Sequence, residues 1–266
     1  MQHLATARST NSRAILTYGR FTFLEAVRSR LGWVALATLA ASLGVGQFID
    51  QMALTESQPI RAAVLGTMLR LAAVFLIASF VITSMVREHN DKGLELLLSL
   101  AAPRHCYLLG KWLGFVWAAI ALATVFALPL VFTADAPRVL AWGLSLALEL
   151  AVVASASLLC VLTFSHVVSG LAAVGAFYVL ARLLSTLQMI GEGAVAPVDS
   201  LAFQAGTWFL WAIAALLPRL DLFTRTAWLT GDAAPFADLA ALGLQAAVYS
   251  ALLLCAAAID LARKNV

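Results

Sequence analysis

Few residues in this sequence have the types and spacing that chemistry requires. Gly110 and Lys111 resemble the end of a phosphate-binding loop, but Trp112 stands where that loop needs Ser or Thr, and His105 where its first glycine belongs. The sequence contains neither an HExxH zinc motif nor a GxSxG nucleophile elbow. It therefore predicts a chain that is not an enzyme, with no catalytic residue, no metal site and no nucleotide site of its own.

The densest group of charges lies in residues 87–105, REHNDKGLELLLSLAAPRH. Its second half is apolar and keeps the i, i+3, i+4, i+7 rhythm of a helix face, and Pro103 ends the pattern. This predicts a short amphipathic helix parallel to the membrane, with a solvated loop as the alternative. The charged residues of its first half are Arg87, Glu88, Asp91, Lys92 and Glu95, and the apolar face consists of Leu94, Leu97, Leu98 and Ala101.

Three further ionisable residues, Arg70, Glu149 and Arg182, lie within long apolar stretches. Charges inside a bilayer are costly, so each needs a partner or a water-filled cavity. Glu149 and Arg182 lie at similar depth on consecutive, tightly connected segments, which predicts an intramembrane ion pair between them. The alternative is that they line a substrate path. Arg70 is expected near enough to the surface to snorkel.

The elements that position these residues follow from the composition. Of 266 residues, 62% are hydrophobic and 12% charged, and the mean hydropathy is +0.93. This balance lies far outside the globular range and excludes a soluble enzyme, a nucleic-acid module and a disordered chain. The net charge of +3 reflects the basic bias of cytoplasmic segments rather than nucleic-acid binding.

Six apolar stretches are long enough to cross a bilayer as helices. The sequence therefore predicts an all-α polytopic membrane protein forming one membrane domain over 1–266. A shorter apolar stretch, 203–217, contains Trp208 and Trp211 and is predicted to be re-entrant or interfacial, with a seventh span as the alternative. The six predicted spans are 31–49, 64–86, 107–133, 139–164, 168–190 and 238–262.

Residues 14–31 are too charged to span and predict an interfacial helix at the inner leaflet, the alternative being an ordinary extension of the first span. With six spans or seven, eleven basic residues fall on the side of the N-terminus and four on the other. Both arrangements place the N-terminus in the cytoplasm, and the six-span topology places the C-terminus there too.

The string MVREHNDKGLELLLSLAAPRHCYLLGKWLG at 85–114 resembles the signature of the ABC type-2 exporter permease family. In that family a basic-acidic pair, a polar stretch, a Gly, Glu-Leu-Leu, a Pro-Arg-like pair and Leu-Gly-Lys lie between the second and third spans. Residues 23–33, 216–231 and the terminal DLARKNV are similar to other segments of the family. Leu94 stands where many relatives carry Thr, which leaves the subfamily and the substrate open.

The resemblance implies the transmembrane subunit of an ATP-driven exporter in the inner membrane, with ATP and Mg on a separate ATPase subunit. Residues 87–105 would be the coupling helix seated on that ATPase, Gly93 included, and 201–234 an extracytoplasmic gate segment. The partners implied are the ATPase, a second permease copy in a homodimer, the lipid bilayer and a possible periplasmic accessory protein, with no nucleic acid. A maturation system, such as nitrous-oxide-reductase copper-centre assembly, and an ATP-independent scaffold are the alternatives.

Overall fold

The computed structural model describes residues 2–52, 57–91, 104–164, 166–192, 208, 211, 217–225, 229 and 236–263. Regular structure in these ranges is helical throughout, and no strand occurs among them. The α-helices are α1 Gln2–Arg28, α2 Leu31–Met52, α3 Ser57–Asn90, α4 Arg104–Ala127, α5 Ala136–Phe164, α6 Val167–Glu192 and α7 Phe236–Arg263. Short 3₁₀ helices follow at Leu128–Phe132 and Leu220–Leu222.

Six of these helices, α2 to α7, are long and apolar enough to cross a membrane. Helices are the form expected for such segments, since every backbone N–H and C=O must find its partner inside the segment when no water is present. The structure thus confirms the predicted class, an all-α polytopic membrane protein, and each predicted span falls on one α-helix, the third continuing into the 3₁₀ helix after α4. Pro129 lies in the first turn of the 3₁₀ helix after α4, and the α-helical bonding of this span ends at Ala127.

The first helix differs in extent from its prediction. A helix over 14–31 is expected, whereas α1 begins at Gln2 and ends at Arg28. The turn to α2 is fixed by Ser29, whose hydroxyl donates to the Ala26 carbonyl at 2.7 Å and accepts from the Leu31 amide at 3.2 Å. A side chain that bonds the backbone in this way ends one helix and starts the next.

α1 packs closely along the first half of α4, and glycines make this approach possible. A Cβ atom added to Gly110 would lie 2.5 Å from Cβ of Tyr18, and one added to Gly114 would lie 2.5 Å from Cβ of Thr22. Gly19 of α1 faces the same surface, with the Gly110 carbonyl 3.3 Å from its would-be Cβ. Small residues let helix backbones come together within a membrane, so α1 is held against α4 by shape.

The remaining helices run alternately in opposite directions. The spans α3 and α5 are the most buried, and α2 is the least buried. We call one side of the helix bundle the α1 side, because α1 lies there. It also contains the ends of α3, α5 and α7 and the starts of α4 and α6. The other side is closed in part by residues 217–225 and 229: Leu220, Phe223 and Leu229 are buried, and the Tyr249 hydroxyl donates to the Leu217 carbonyl at 3.1 Å.

Two predicted segments lie largely outside the described residues. Of the coupling segment 87–105, the structure describes 87–91 at the end of α3 and 104–105 at the start of α4. Of the gate segment 201–234 it describes 208, 211, 217–225 and 229, so a re-entrant course of 203–217 stays a prediction.

Candidate functional site

A cluster of charged side chains ties three helices together on the α1 side. Glu25 of α1 is its centre: the carboxylate forms an ion pair with Arg87 and accepts a 2.8 Å hydrogen bond from the Ser84 hydroxyl, both from α3. Lys111 of α4 lies with its Nζ 2.5 Å from Glu88 Oε2 and 3.8 Å from Glu25 Oε2. Two carboxylates therefore face two cations, and the α1-side cluster is electrically balanced.

The local sequence explains why these groups meet. Ser84, Arg87 and Glu88 lie at i, i+3 and i+4 in the last turns of α3, so they share one face of that helix. Lys111 lies beside the small residue Gly110, which lets α1 approach α4 and brings Glu25 within reach of the ammonium group. Lys111 is 9% exposed, so its ion pair with Glu88 is shielded from water more than an ordinary surface pair.

Two of the predicted partner contacts, Arg87 and Glu88, are thus engaged inside the chain. Asp91, the next acidic residue, is exposed beyond the end of α3. The other predicted contact residues lie outside the described residues: Lys92, Gly93, Leu94, Glu95, Leu97 and Leu98. The α1-side cluster therefore includes the first two residues of the predicted coupling segment, at the end of α3, and Lys111 of α4, which follows that segment.

A second group of polar side chains is buried among α3, α5 and α6. Arg70 Nη1 lies 2.5 Å from Glu149 Oε2, and Arg70 Nη2 donates to the Ser145 hydroxyl at 2.9 Å. The Tyr178 hydroxyl donates to Glu149 Oε1 at 2.9 Å and accepts from Arg182 Nη1 at 2.9 Å. Glu149 is fully buried and Arg70 is 2% exposed, so the buried network supplies the partners that charges need in this environment.

This arrangement corrects the prediction of a direct ion pair between Glu149 and Arg182. The ion-pair partner of Glu149 is Arg70, and Arg182 reaches the carboxylate only through the Tyr178 hydroxyl. The expectation that Arg70 snorkels to the surface is also wrong. Its guanidinium is instead buried 5.1 Å from the ring centroid of Trp142, within the range of a cation–π contact.

The sequence contained a signal for this network that span-by-span analysis missed. Trp142, Ser145 and Glu149 lie at i, i+3 and i+7 on α5, which places them on one helix face, and Tyr178 and Arg182 are four apart on α6. Polar stripes at helical spacing within apolar spans indicate which faces turn inward. What they leave undetermined is which helix lies opposite.

Within the described residues, the buried network leaves little room for a ligand. The cavity next to Arg70 and Arg182 has a volume of about 10 Å³, about enough for a single water molecule. Of the two interpretations of the intramembrane charges, the geometry of this chain favours a structural network over the lining of a substrate path.

Candidate metal ligands are dispersed rather than gathered. Across the described ranges, no three His, Cys, Asp or Glu side chains come together to hold a metal ion. The chain, compared with protein-family models and with curated proteins, matches none of them. Fold and site together define the class, an all-α multi-pass membrane protein whose described part has six membrane-length helices and a charge cluster that joins α1, α3 and α4 on one side.

Proposed function

We propose that this chain is the transmembrane permease subunit of an ABC exporter, which couples ATP hydrolysis by a separate ATPase subunit to movement of a substrate across the inner membrane. The observation that carries the proposal is the α1-side cluster, in which Glu25, Arg87, Glu88 and Lys111 join α1, α3 and α4 around the predicted coupling segment.

The cluster supports a mechanical role for the segment 92–103. A partner that moves this segment also moves its two attachment points, the end of α3 and the start of α4. Because Arg87 and Glu88 tie α3 to Glu25 and Lys111, the three helices respond as one rigid body, which is the usual form of a domain movement. The exposed Asp91 and the adjoining residues Lys92, Gly93 and Glu95 then contact the ATPase, while Leu94, Leu97 and Leu98 hold the segment to the membrane domain.

The proposal assigns the α1 side to the cytoplasm. Basic residues are concentrated there, and cytoplasmic segments carry the excess of Lys and Arg in multi-pass proteins. ATP and its Mg bind on the partner subunit, so the permease contributes no catalytic residue. The weakly buried spans α2, α6 and α7 leave apolar faces that suit a second copy of the chain, and a two-fold dimer builds its path from equivalent faces of both copies.

The first test is co-purification of the tagged chain from its own host in mild detergent, with identification of the stoichiometric partners. The variant E95A/L97D alters the coupling segment and leaves the α1-side cluster intact. D135N serves as the control, since Asp135 is exposed on the opposite side. We expect a P-loop ATPase to co-purify with the native chain and with D135N. We expect E95A/L97D to lose the ATPase while its dimer content stays unchanged. An intact dimer that never carries an ATPase refutes the exporter and leaves the ATP-independent scaffold.

A further inference from the structure

A groove with a volume of about 770 Å³ opens on the α1 side between α1, α2 and α4. Its walls are mainly apolar and include Phe23, Leu36, Leu122 and Val125. The volume is within the range of sites that hold small molecules. An apolar groove in a membrane-spanning region is open to the bilayer, so its natural occupants are molecules that already reside there.

Two arginines distinguish this groove from an ordinary lipid-facing surface. Arg28 and Arg30 line its mouth, and none of its lining residues is an Asp or Glu. In the described part of the chain, no ion pair engages either guanidinium, whereas Arg70, Arg87 and Arg138 each pair with a carboxylate. Two positive charges at the edge of an apolar groove call for an occupant with an anionic head and an apolar body.

The mouth is open rather than filled by the chain itself. Gly32 has no heavy atom within 4 Å of the position that a Cβ would take, and the Trp33 side chain is 77% exposed. An exposed tryptophan next to basic residues at a span's first turn is typical of the level of lipid headgroups. The mouth of the groove therefore lies where a phosphate group of the bilayer would lie.

The depth of the groove matches part of an acyl chain. The α4 wall runs from Ala118 to Val125, which at 1.5 Å per residue is about 10 Å. One leaflet contributes about 15 Å of hydrocarbon, half the thickness of the bilayer core. A lipid with its phosphate at the mouth would lay the first two thirds of a chain against this wall and leave the rest in the leaflet.

We propose that the groove is a binding site for an anionic glycerophospholipid of the leaflet on the α1 side. Arg28 and Arg30 bind the phosphate, because guanidinium groups form paired, charge-assisted hydrogen bonds with phosphate oxygens. An acyl chain packs against Leu36, Leu122 and Val125. This site is independent of the ATPase partner proposed above, and a zwitterionic lipid gains less from it because its own cation faces the two arginines.

The test is a titration of delipidated protein in mild detergent with dioleoylphosphatidylglycerol or dioleoylphosphatidylcholine, with bound lipids counted by native mass spectrometry. The native chain is expected to bind the phosphatidylglycerol at least tenfold more tightly than the phosphatidylcholine. R28Q/R30Q is expected to lose that preference. The matched control R13Q/R20Q removes the same charge from exposed positions of α1, outside the groove, and is expected to keep it.

A second variant separates the groove from surface charge. A121W fills the groove with a bulky side chain and is expected to weaken binding of phosphatidylglycerol, whereas L140W, at an exposed site of α5 on the opposite side, is expected to leave it unchanged. Equal loss in R28Q/R30Q and R13Q/R20Q, or unchanged binding in A121W, overturns the proposal. If A121W dissociates a dimer and leaves lipid binding unchanged, the groove is an interface between two copies of the chain.

Discussion

Removing one charge of the buried network is the most direct test of how this membrane domain is held together. E149Q replaces the fully buried carboxylate with a neutral amide of the same shape, so Arg70 keeps its position but loses its counter-charge. Breaking a buried ion pair by neutralising one partner costs about 3–5 kcal/mol, because the other charge stays buried and unbalanced. At about 1.4 kcal/mol per factor of ten, the ratio of folded to unfolded protein falls between about a hundredfold and a few thousandfold.

The assay is unfolding in mixed micelles with increasing sodium dodecyl sulfate, followed by labelling of the Cys106 thiol. The Cys106 side chain is buried in the folded chain and is expected to become reactive when the helices separate. Serine at Cys160 and Cys255 makes it the single reporter thiol. R70M and the double variant R70M/E149Q complete a double-mutant cycle.

The double variant is expected to lose about 2 kcal/mol less free energy of unfolding than the two single variants lose together, because no unpaired charge remains in the core. D238N is the control: Asp238 pairs with Arg225 at 3.8 Å with both side chains half exposed, and such surface pairs contribute about 0–1 kcal/mol. The pair does not stabilise this fold if the free energy of unfolding of E149Q lies within about 0.5 kcal/mol of the native value, or if the losses of the two single variants simply add in the double variant.

Three further variants test individual contacts in the same unfolding assay. G114A is expected to destabilise the fold by about 1–3 kcal/mol, because its new Cβ meets the backbone and a side chain of α1. The control G175A places its Cβ where no described atom lies within 4 Å and is expected to be no less stable than the native chain. Equal losses of stability in the two variants would contradict the close packing of α1. Y178F removes the hydroxyl that connects Arg182 to the buried network and is expected to cost about 1–3 kcal/mol, and no loss would mean that this link is not formed. W112F deletes the 2.8 Å hydrogen bond from α4 to α5 and is expected to cost about 0.5–1.5 kcal/mol. An unchanged unfolding midpoint would mean that solvent already satisfies the indole N–H.

The spans were predictable because their signal is local. Each requires about 20 consecutive apolar residues, and hydropathy along the chain finds them without knowledge of neighbours. The start of α1 was not predictable in this way, since residues 2–13 are polar and carry no apolar stripe. The pairing of Arg70 with Glu149 was missed for a different reason: their helices are separated by α4 along the sequence, and helix order does not determine which faces meet in space.

The same distinction applies to the α1-side cluster. Arg87 and Glu88 begin a charged segment, and the family resemblance implies that both contact the ATPase, which stays a prediction. The contacts that the structure shows for them, with Glu25 and Lys111, were not predicted. These partners lie 62 residues before Arg87 and 23 after Glu88, so only the close approach of α1 and α4 brings the four together.

The glycine surface of α4 also sets an order for biosynthesis. Arg104 follows Arg28 by 76 residues, so a ribosome adding about 5–20 residues per second finishes α1 about 4–15 s before α4 begins to emerge. During that interval the face of α1 that fits Gly110 and Gly114 has no partner, and Glu25 lacks Lys111. The newly made α1 must therefore wait for α4 before it can form these contacts.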